Sequence, residues 1–302
     1  MRSAYGLILL QKLENFDFFV ASCDTSTSAG LEKLKRNRGN QYLEFGISEQ
    51  AAVTISAALA SQGSKVLFST FAPFLAYRAA EMIKVSVSYD NSPVCLVGIA
   101  AGLVQSHLGG THCSLEEQSL FSSLGNINIY SPADFFELES ALDSYLSEPQ
   151  PTYIRLTGDN KIYSGARNEV CLGMSQIIQG EEVALIFSGA ILSQAPNINE
   201  YFRAKGKQFS FYSLFTANTK NYFMISQILS RYKHVFFVEE HTKIGSHFSR
   251  IREQTNYVGG IYIGPLSSYS MLGSKYQDAL KAFGLNAVEI AKRVENYISK
   301  LY

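Results

Sequence analysis

The feature that most constrains this chain is a regular alternation of short apolar segments with longer segments of helical pattern. The apolar segments are five to eight residues long and rich in β-branched and aromatic residues. Strands that alternate with helices form parallel sheets, and the helices cover both faces of each sheet. The sequence therefore predicts an α/β fold. The predicted strands of the first half are FDFFVAS, QYLEF, KVLFST, PVCLVGIA, INIYS and TYIRL.

The alternation stops in a segment with scattered Gly, Asn and Asp, and then starts again. With 302 residues, the chain is long enough for two domains of about 150 residues each. We predict two doubly wound domains, each a mostly parallel sheet with helices on both faces. They occupy residues 1–160 and 181–302, and a linker covers residues 161–180. The predicted strands of the second domain are VALIFSG, QFSFYSL, HVFFVEE and GIYIG.

Charge and cysteine content exclude several classes of function. Lys+Arg and Asp+Glu are both 26, so no net charge attracts the chain to nucleic acid or to an anionic membrane. No apolar run reaches the roughly 20 residues of a membrane helix. The four cysteines form no CxxC motif, and we expect reduced thiols in the cytoplasm. The abundant Tyr (18) and Phe (20) favour a surface buried against another subunit.

Two of the loops that follow predicted strands carry residues suited to chemistry, and ligands of open α/β sheets bind at such loops. In FGISEQ, Ser48 is the predicted N-cap and Glu49 lies in the first helical turn, where an acid is also common for purely structural reasons. In STFAPFLAY, Phe71, Phe74 and Tyr77 recur every three residues. This spacing is typical of a core stripe, and it also suits a wall for a flat heteroaromatic ring.

A third loop, AGLVQSHLGGTH, has twelve residues with three glycines and two histidines. His107 and His112 are five residues apart, which is a poor spacing for a metal site, and we predict no metal ligands in this chain. Thr111 and His112 precede a predicted helix. The histidine is therefore either part of a helix cap or a group that binds substrate and carries protons.

In combination, the three loops resemble one known family. The combination resembles the pyrimidine-binding domain of the transketolase family of thiamine-diphosphate enzymes. The matching motifs are Gly-x-x-Glu at a helix start, Thr-Phe-x-x-Phe after the next strand and Gly-Gly-Thr-His after the strand beyond. The resemblance covers residues 1–157 and includes the segment SPADFFE. It continues more weakly through VALIFSGAILSQA and VFFVEEHTKIGSHFS, which look like the C-terminal domain of that family.

The resemblance implies a role for each matching residue. Glu49 corresponds to the glutamate that hydrogen-bonds N1′ of the cofactor's aminopyrimidine and supports its activation. Phe71 and Phe74 correspond to aromatic residues that pack on the pyrimidine, and Tyr77 to a further ring near the same wall. His112 corresponds to a catalytic histidine that contacts the bound sugar. Enzymes of this family transfer a two-carbon ketol unit from a ketose to an aldehyde.

One family motif has no counterpart in the sequence. Family members hold the diphosphate and Mg²⁺ with a Gly-Asp-Gly segment on a separate N-terminal domain, and this chain contains no such segment. The resemblance is therefore to the C-terminal half of a transketolase. It implies the smaller subunit of a two-chain enzyme that is active only with a partner carrying the thiamine diphosphate and Mg²⁺ site, in an α2β2 assembly.

Departures from the family pattern bear on the substrate. Leu108 stands where the family has an aspartate that recognises a sugar hydroxyl. Arg155 matches one residue of an arginine pair that grips the substrate phosphate, but Gly158 stands at the other position. These differences predict a modified or nucleotide-linked sugar. We expect His107, His112 and Arg155 to bind it, with His107 partly replacing the lost aspartate.

Other functions share parts of the pattern. The β subunit of a 2-oxoacid dehydrogenase and a deoxyxylulose-phosphate synthase-like subunit carry the same glutamate and aromatic motifs, and a non-catalytic regulatory half would keep the fold. The segment EEHTKIGSH could suggest a metal cluster, but we favour a strand-to-helix turn at the domain interface. Its charged and titratable residues are Glu239, Glu240, His241 and His247.

Overall fold

The structure, a computed structural model, describes residues 2–157, 165–266 and 273–300. Its first half contains a six-stranded sheet in which all strand pairs are parallel. The strand order is β2-β1-β3-β4-β6-β5. These strands are β1 (Phe19–Ser22), β2 (Tyr42–Glu44), β3 (Val66–Phe71), β4 (Val94–Ile99), β5 (Asn128–Tyr130) and β6 (Thr152–Arg155).

A second six-stranded sheet has the order β12-β11-β9-β10-β8-β7. Its first four strands are parallel, and β8 and β7 are antiparallel additions at one edge. The prediction of two mostly parallel sheets is thereby confirmed. These strands are β7 (Asn168–Cys171), β8 (Met174–Ile178), β9 (Val183–Ser188), β10 (Ser210–Leu214), β11 (His234–Glu239) and β12 (Ile261–Ile263).

The linker predicted at residues 161–180 was wrong for residues 168–178, because β7 and β8 belong to the second sheet. The sequence conceals these strands because β7 is an edge strand whose Asn168 and Glu169 are exposed, so no apolar run marks it. Gly173, with φ +80°, makes the tight turn between them. Gly158, which we discussed as the site of a missing arginine, lies outside the described residues.

Helices cover both faces of the first sheet. Leu67 packs into one core, while its neighbours Val66 and Phe68 pack into the core on the opposite face, as the alternation of side chains along a strand requires. No helix among the described residues is long and apolar enough to cross a membrane. The helices are α1 (Arg2–Lys12), α2 (Glu32–Asn37), α3 (Glu49–Ser61), α4 (Ala80–Met82), α5 (Glu117–Leu124), α6 (Phe135–Ser147), α7 (Ala195–Arg203), α8 (Tyr222–Leu229), α9 (His247–Gln254), α10 (Tyr276–Ala282) and α11 (Ala287–Ile298).

The segment predicted as one helix over about 74–88 consists of three helical pieces. Two of them are π-helical, Phe74–Arg78 and Ile83–Tyr89, and α4 lies between them. π-helical turns are wider than α-helical ones and occur frequently at functional sites.

Candidate active site

Glu49 is the first residue of α3 and follows the turn after β2. Gly46 makes this turn with φ +63°, a conformation that favours glycine. The Ser48 hydroxyl does not cap the helix as we predicted, because it donates to the carbonyl oxygen of Phe45, 2.7 Å away. The Glu49 side chain is only 2% exposed. The turn therefore holds a buried carboxyl group at the carboxyl edge of the sheet.

The partner of this buried acid is a residue that the sequence analysis did not single out. Arg78 Nη1 lies 2.7 Å from Glu49 Oε2. The same guanidinium lies over the ring of Phe74, with its central carbon 4.4 Å from the ring centroid. The only sequence signal for Arg78 was its place directly after the aromatic stripe, which by itself indicates an exposed helix residue.

Three predicted rings from two loops meet next to this pair. Phe71 ends β3 and Phe74 begins the following π-helical turn, and their rings pack edge to face with centroids 5.8 Å apart. His112 comes from the glycine-rich loop after β4. Its ring centroid lies 5.8 Å from that of Phe71 and 5.1 Å from that of Phe74. We call Glu49, Phe71, Phe74 and His112 the pyrimidine cluster.

Three other residues that we singled out lie on the same segments as Phe74 and His112. Tyr77 is half-exposed, and its partial burial, together with Glu116 nearby, raises the pKa of its phenol. His107 and Leu108 are exposed in a 3₁₀ turn of the same loop as His112. Thr111 Oγ1 lies 2.9 Å from His112 Nδ1, so this hydroxyl fixes the orientation of the imidazole ring.

Arg155 does not lie where a substrate phosphate could reach it, which corrects our expectation. It is 1% exposed at the end of β6 and forms a buried ion pair with Glu117 of α5. Its Nη2 also donates to the carbonyl oxygens of Glu240, at 2.9 Å, and Ser114, at 3.3 Å. All its contacts are internal because the second domain covers this strand end, so Arg155 joins the two domains.

The second domain also holds the glycine-rich loop. Glu240 is buried, and its Oε1 accepts a hydrogen bond from the backbone N–H of Leu103 at 2.6 Å. The Tyr276 hydroxyl donates to the other oxygen, Oε2, at 2.8 Å. Ser106 Oγ donates to the carbonyl oxygen of Ser274 at 2.6 Å. Residues of the second domain therefore hold the loop that carries His112 through hydrogen bonds at Leu103 and Ser106.

The segment after β11 forms the predicted strand-to-helix turn. The two carboxylate oxygens of Glu239 accept the backbone N–H groups of His247 and Phe248 at 3.1 and 2.9 Å, at the start of α9. Burial raises the pKa of Glu239 to about 7. His241 Nε2 accepts the Gln118 backbone N–H at 3.1 Å. These residues serve the domain interface, and no group of His, Cys, Asp or Glu among the described residues could hold a metal ion.

The pyrimidine cluster fits one half of thiamine diphosphate. An aminopyrimidine needs a carboxyl group at N1′ and an apolar wall against its ring, and Glu49, Phe71 and Phe74 supply groups of those kinds. The cluster thus has the chemistry for the ring of the cofactor. A diphosphate with a divalent cation needs carboxylate, amide or carbonyl oxygens.

Comparison with known proteins agrees with this chemistry. The profile of the family described as "Transketolase, pyrimidine binding domain" matches residues 1–161. The chain is 27% identical to a subunit of the apulose-4-phosphate transketolase of Phocaeicola vulgatus, over 76% of this chain and 74% of that protein. It is 25% identical to the 6-deoxy-6-sulfo-D-fructose transketolase subunit SqwH of a Clostridium species, over 65% and 62% of the two chains.

A solved structure of a "Split gene transketolase, inactive beta4 tetramer" has the same fold. Its TM-score is 0.83 at 24% identity, over 98% of this chain and 97% of that one. The chain belongs to the transketolase family of thiamine-diphosphate enzymes, because the family profile covers more than half of it. Both of these relatives are named as subunits of a transketolase.

Proposed function

We propose that this chain is the pyrimidine-binding subunit of a two-chain transketolase that transfers a two-carbon ketol unit between sugars, at least one of them modified. The observation that carries the proposal is the pyrimidine cluster. A buried acid, two phenylalanines and a histidine, drawn from three loops that are distant in sequence, lie together at one edge of the sheet. A core-packing role explains the phenylalanines but gives no reason for a buried carboxyl group beside them.

Each residue of the cluster has one task. Glu49 hydrogen-bonds N1′ of the aminopyrimidine and supplies the proton held at that atom. Phe71 and Phe74 orient the ring and exclude water from it. The bound cofactor supplies a carbon nucleophile and an electron sink for cleavage of a C–C bond next to a carbonyl group.

His112 faces the sugar. Because Thr111 Oγ1 engages Nδ1 at 2.9 Å, Nε2 is the ring atom that bonds a substrate hydroxyl group. Its ring packs against Phe71 and Phe74, which supports a position beside the bound pyrimidine and next to the sugar. His107, exposed in the same loop, contacts the more distant part of the substrate.

A partner subunit completes the site. The sequence contains no Gly-Asp-Gly segment, so we assign the diphosphate and Mg²⁺ to a partner of the N-terminal transketolase type, in an α2β2 assembly. Both curated relatives are themselves named as subunits of a transketolase, which supports a division of the enzyme between chains. Three exposed apolar or aromatic side chains are available to such a partner. They lie near the cluster or on the helical segment after it, and they are Ile47, Tyr77 and Tyr89.

The substrate is a modified sugar. The two relatives are named for apulose 4-phosphate and for 6-deoxy-6-sulfo-D-fructose. Leu108 replaces a hydroxyl-binding aspartate and is 49% exposed, and Arg155 is occupied by Glu117. A site with these side chains lacks two groups that would hold an ordinary pentose phosphate, which supports a different donor or acceptor, either a substituted sugar or one attached to a nucleotide.

The first experiment combines the chain with the N-terminal-type transketolase subunit encoded nearest to it and measures thiamine diphosphate binding by calorimetry with Mg²⁺ present. We expect binding by the complex and none by the separate chain. Glu49→Gln is expected to lower turnover by roughly 100-fold or more, as for loss of an acid catalyst. Glu81→Gln, at an exposed position of α4, is the matched control and should resemble wild type.

Two results would contradict the proposal. Tight cofactor binding by this chain alone would refute the shared site, and near wild-type turnover of Glu49→Gln would refute its role at N1′. A substrate panel then tests the sugar. Efficient transfer between xylulose 5-phosphate and ribose 5-phosphate would refute a modified substrate. Turnover of pyruvate with glyceraldehyde 3-phosphate would support a deoxyxylulose-phosphate synthase-like activity instead.

A further inference from the structure

Arg78 already makes the two contacts that the proposed function assigns to the cofactor's pyrimidine ring. Its Nη1 donates to Glu49 Oε2 at 2.7 Å, and its guanidinium lies on the ring of Phe74 with its central carbon 4.4 Å from the centroid. The Arg78 side chain is 44% exposed, whereas that of Glu49 is 2% exposed. A cation at the surface therefore reaches inward to cover a buried acid.

Local structure explains why Arg78 can do this. The helical turn from Phe74 to Arg78 is π-helical, and side chains four residues apart along a helix are neighbours on its surface. Glu49 is fixed independently at the start of α3. A buried carboxylate is costly without a cationic partner, and within this pair Arg78 supplies the charge.

The guanidinium and the pyrimidine ring are chemically alike at this position. Arginine is planar, always charged, donates N–H bonds to carboxylates and stacks on aromatic faces. An aminopyrimidine protonated at N1′ is also a flat cation that donates an N–H bond to a carboxylate. The two require different protonation states of Glu49. The ion pair with Arg78 needs the carboxylate, whereas proton donation to N1′ needs the carboxylic acid.

We propose that Arg78 is an internal competitor of the cofactor, which occupies Glu49 and Phe74 and is displaced when the pyrimidine ring binds. The inference rests on the proposed function and adds a regulatory contact to the same site. Displacement releases an exposed side chain into solvent or toward the partner subunit. Glu49 then takes up one proton from solvent in place of the arginine charge, and this proton is the one shared with N1′ of the bound pyrimidine. Before the cofactor binds, Arg78 thus balances the charge on Glu49. The Arg78 contacts must be broken when the cofactor binds, so they lower its affinity.

The test compares cofactor affinity in the two-chain complex. Arg78→Met keeps an apolar stem on Phe74 but removes the donor and the charge. We expect it to bind thiamine diphosphate about 5-fold more tightly, because a partly exposed ion pair and a cation–π contact no longer have to be broken. Arg78→Lys keeps the charge but not the planar guanidinium group, and its cofactor affinity should lie between those of Arg78→Met and wild type. Arg252→Met removes an arginine that lies over Phe248 in the second domain and should leave affinity unchanged.

The outcomes separate this inference from the proposed function. Equal or weaker binding by Arg78→Met, with wild-type complex binding normally and Glu49→Gln binding weakly, would overturn the competitor role alone. A structure of the cofactor-bound complex in which Arg78 still lies within about 3 Å of Glu49 and over Phe74 would do the same. Absence of binding by the wild-type complex would overturn the proposed function, and the inference with it.

Discussion

The backbone N–H of Leu103 donates to Oε1 of Glu240, 2.6 Å away, and so joins the glycine-rich loop of the first domain to the end of β11 in the second. Glu240 is 1% exposed, and Tyr276 holds its other oxygen. The position of His112 therefore depends on a side chain that lies 137 residues beyond Leu103 along the chain.

The close approach of Gly102 to Glu240 gives a first prediction. A Cβ atom at Gly102 would lie 2.4 Å from Glu240 Oε1, whereas one at Gly63, just after α3, would have nothing within 4 Å, and the two residues have positive φ angles of +75° and +91°. Both Ala variants therefore pay the strain of a positive φ angle, about 1–2 kcal/mol, but only Gly102→Ala must also displace Glu240. We expect urea unfolding to give a loss at Gly102 larger by roughly 1–3 kcal/mol. Equal losses would mean that the Glu240 contact is unimportant.

The second prediction concerns Arg155. Arg155→Met leaves Glu117 buried without its cation, and we expect it to lower the free energy of unfolding by about 3–5 kcal/mol. The double variant Arg155→Met/Glu117→Leu removes both charges and should recover part of this loss. Urea unfolding measures both effects. A stable Arg155→Met protein whose KM for a phosphorylated sugar rises would restore the substrate-binding role that the sequence suggested.

The third prediction is a pH dependence that originates at His241. Complete burial lowers the pKa of His241 to about 4. Glu117 Oε2 lies 3.9 Å from its Nε2, but Nε2 accepts the Gln118 N–H and Nδ1 lies 2.7 Å from the Thr242 carbonyl oxygen. The ring is therefore neutral and protonated at Nδ1. As pH falls below about 6.5, the unfolded chain binds a proton that the folded chain excludes, so stability falls between about pH 6.5 and 4.

His241→Gln removes this titration and provides the comparison. Between about pH 7.5 and 5.0, wild type should lose roughly 2 kcal/mol more of its unfolding free energy than His241→Gln does. Urea unfolding at the two pH values measures the difference, and other titrating groups cancel between the two proteins. Identical pH dependence would mean that His241 is protonated in the folded protein or does not differ from the unfolded chain.

Sequence reasoning predicted the first domain well, because each of its buried strands is a contiguous apolar run and its parallel pairing follows from the intervening helices. It also brought Glu49, Phe71 and His112 to one region. They lie at the end of β3 or in the loops after β2 and β4, and the carboxyl ends of parallel strands share one edge of a sheet. Residues from three separate loops thus became neighbours on topological grounds alone.

What the sequence did not reveal depends on contacts that no local pattern encodes. Arg78 meets Glu49, a residue 29 positions earlier at the start of another helix. Arg155 is enclosed by Glu117 and Ser114 of the first domain and by Glu240 of the second. The edge strand β7 lacks an apolar run because half of it is exposed. In each case the deciding partner lies in another element, and a scan along the chain cannot detect it.

The bond between Leu103 and Glu240 has a consequence for protein engineering. A chimera that joins the first domain of this chain to the second domain of a relative, at a junction within residues 158–164, would combine a glycine-rich loop with a brace made for a different loop. Even if both halves fold, the loop that carries His112 would lose the present geometry of its bond to Glu240. Exchanging substrate preference between relatives therefore requires the glycine-rich loop and the second-domain residues that contact it to be exchanged together.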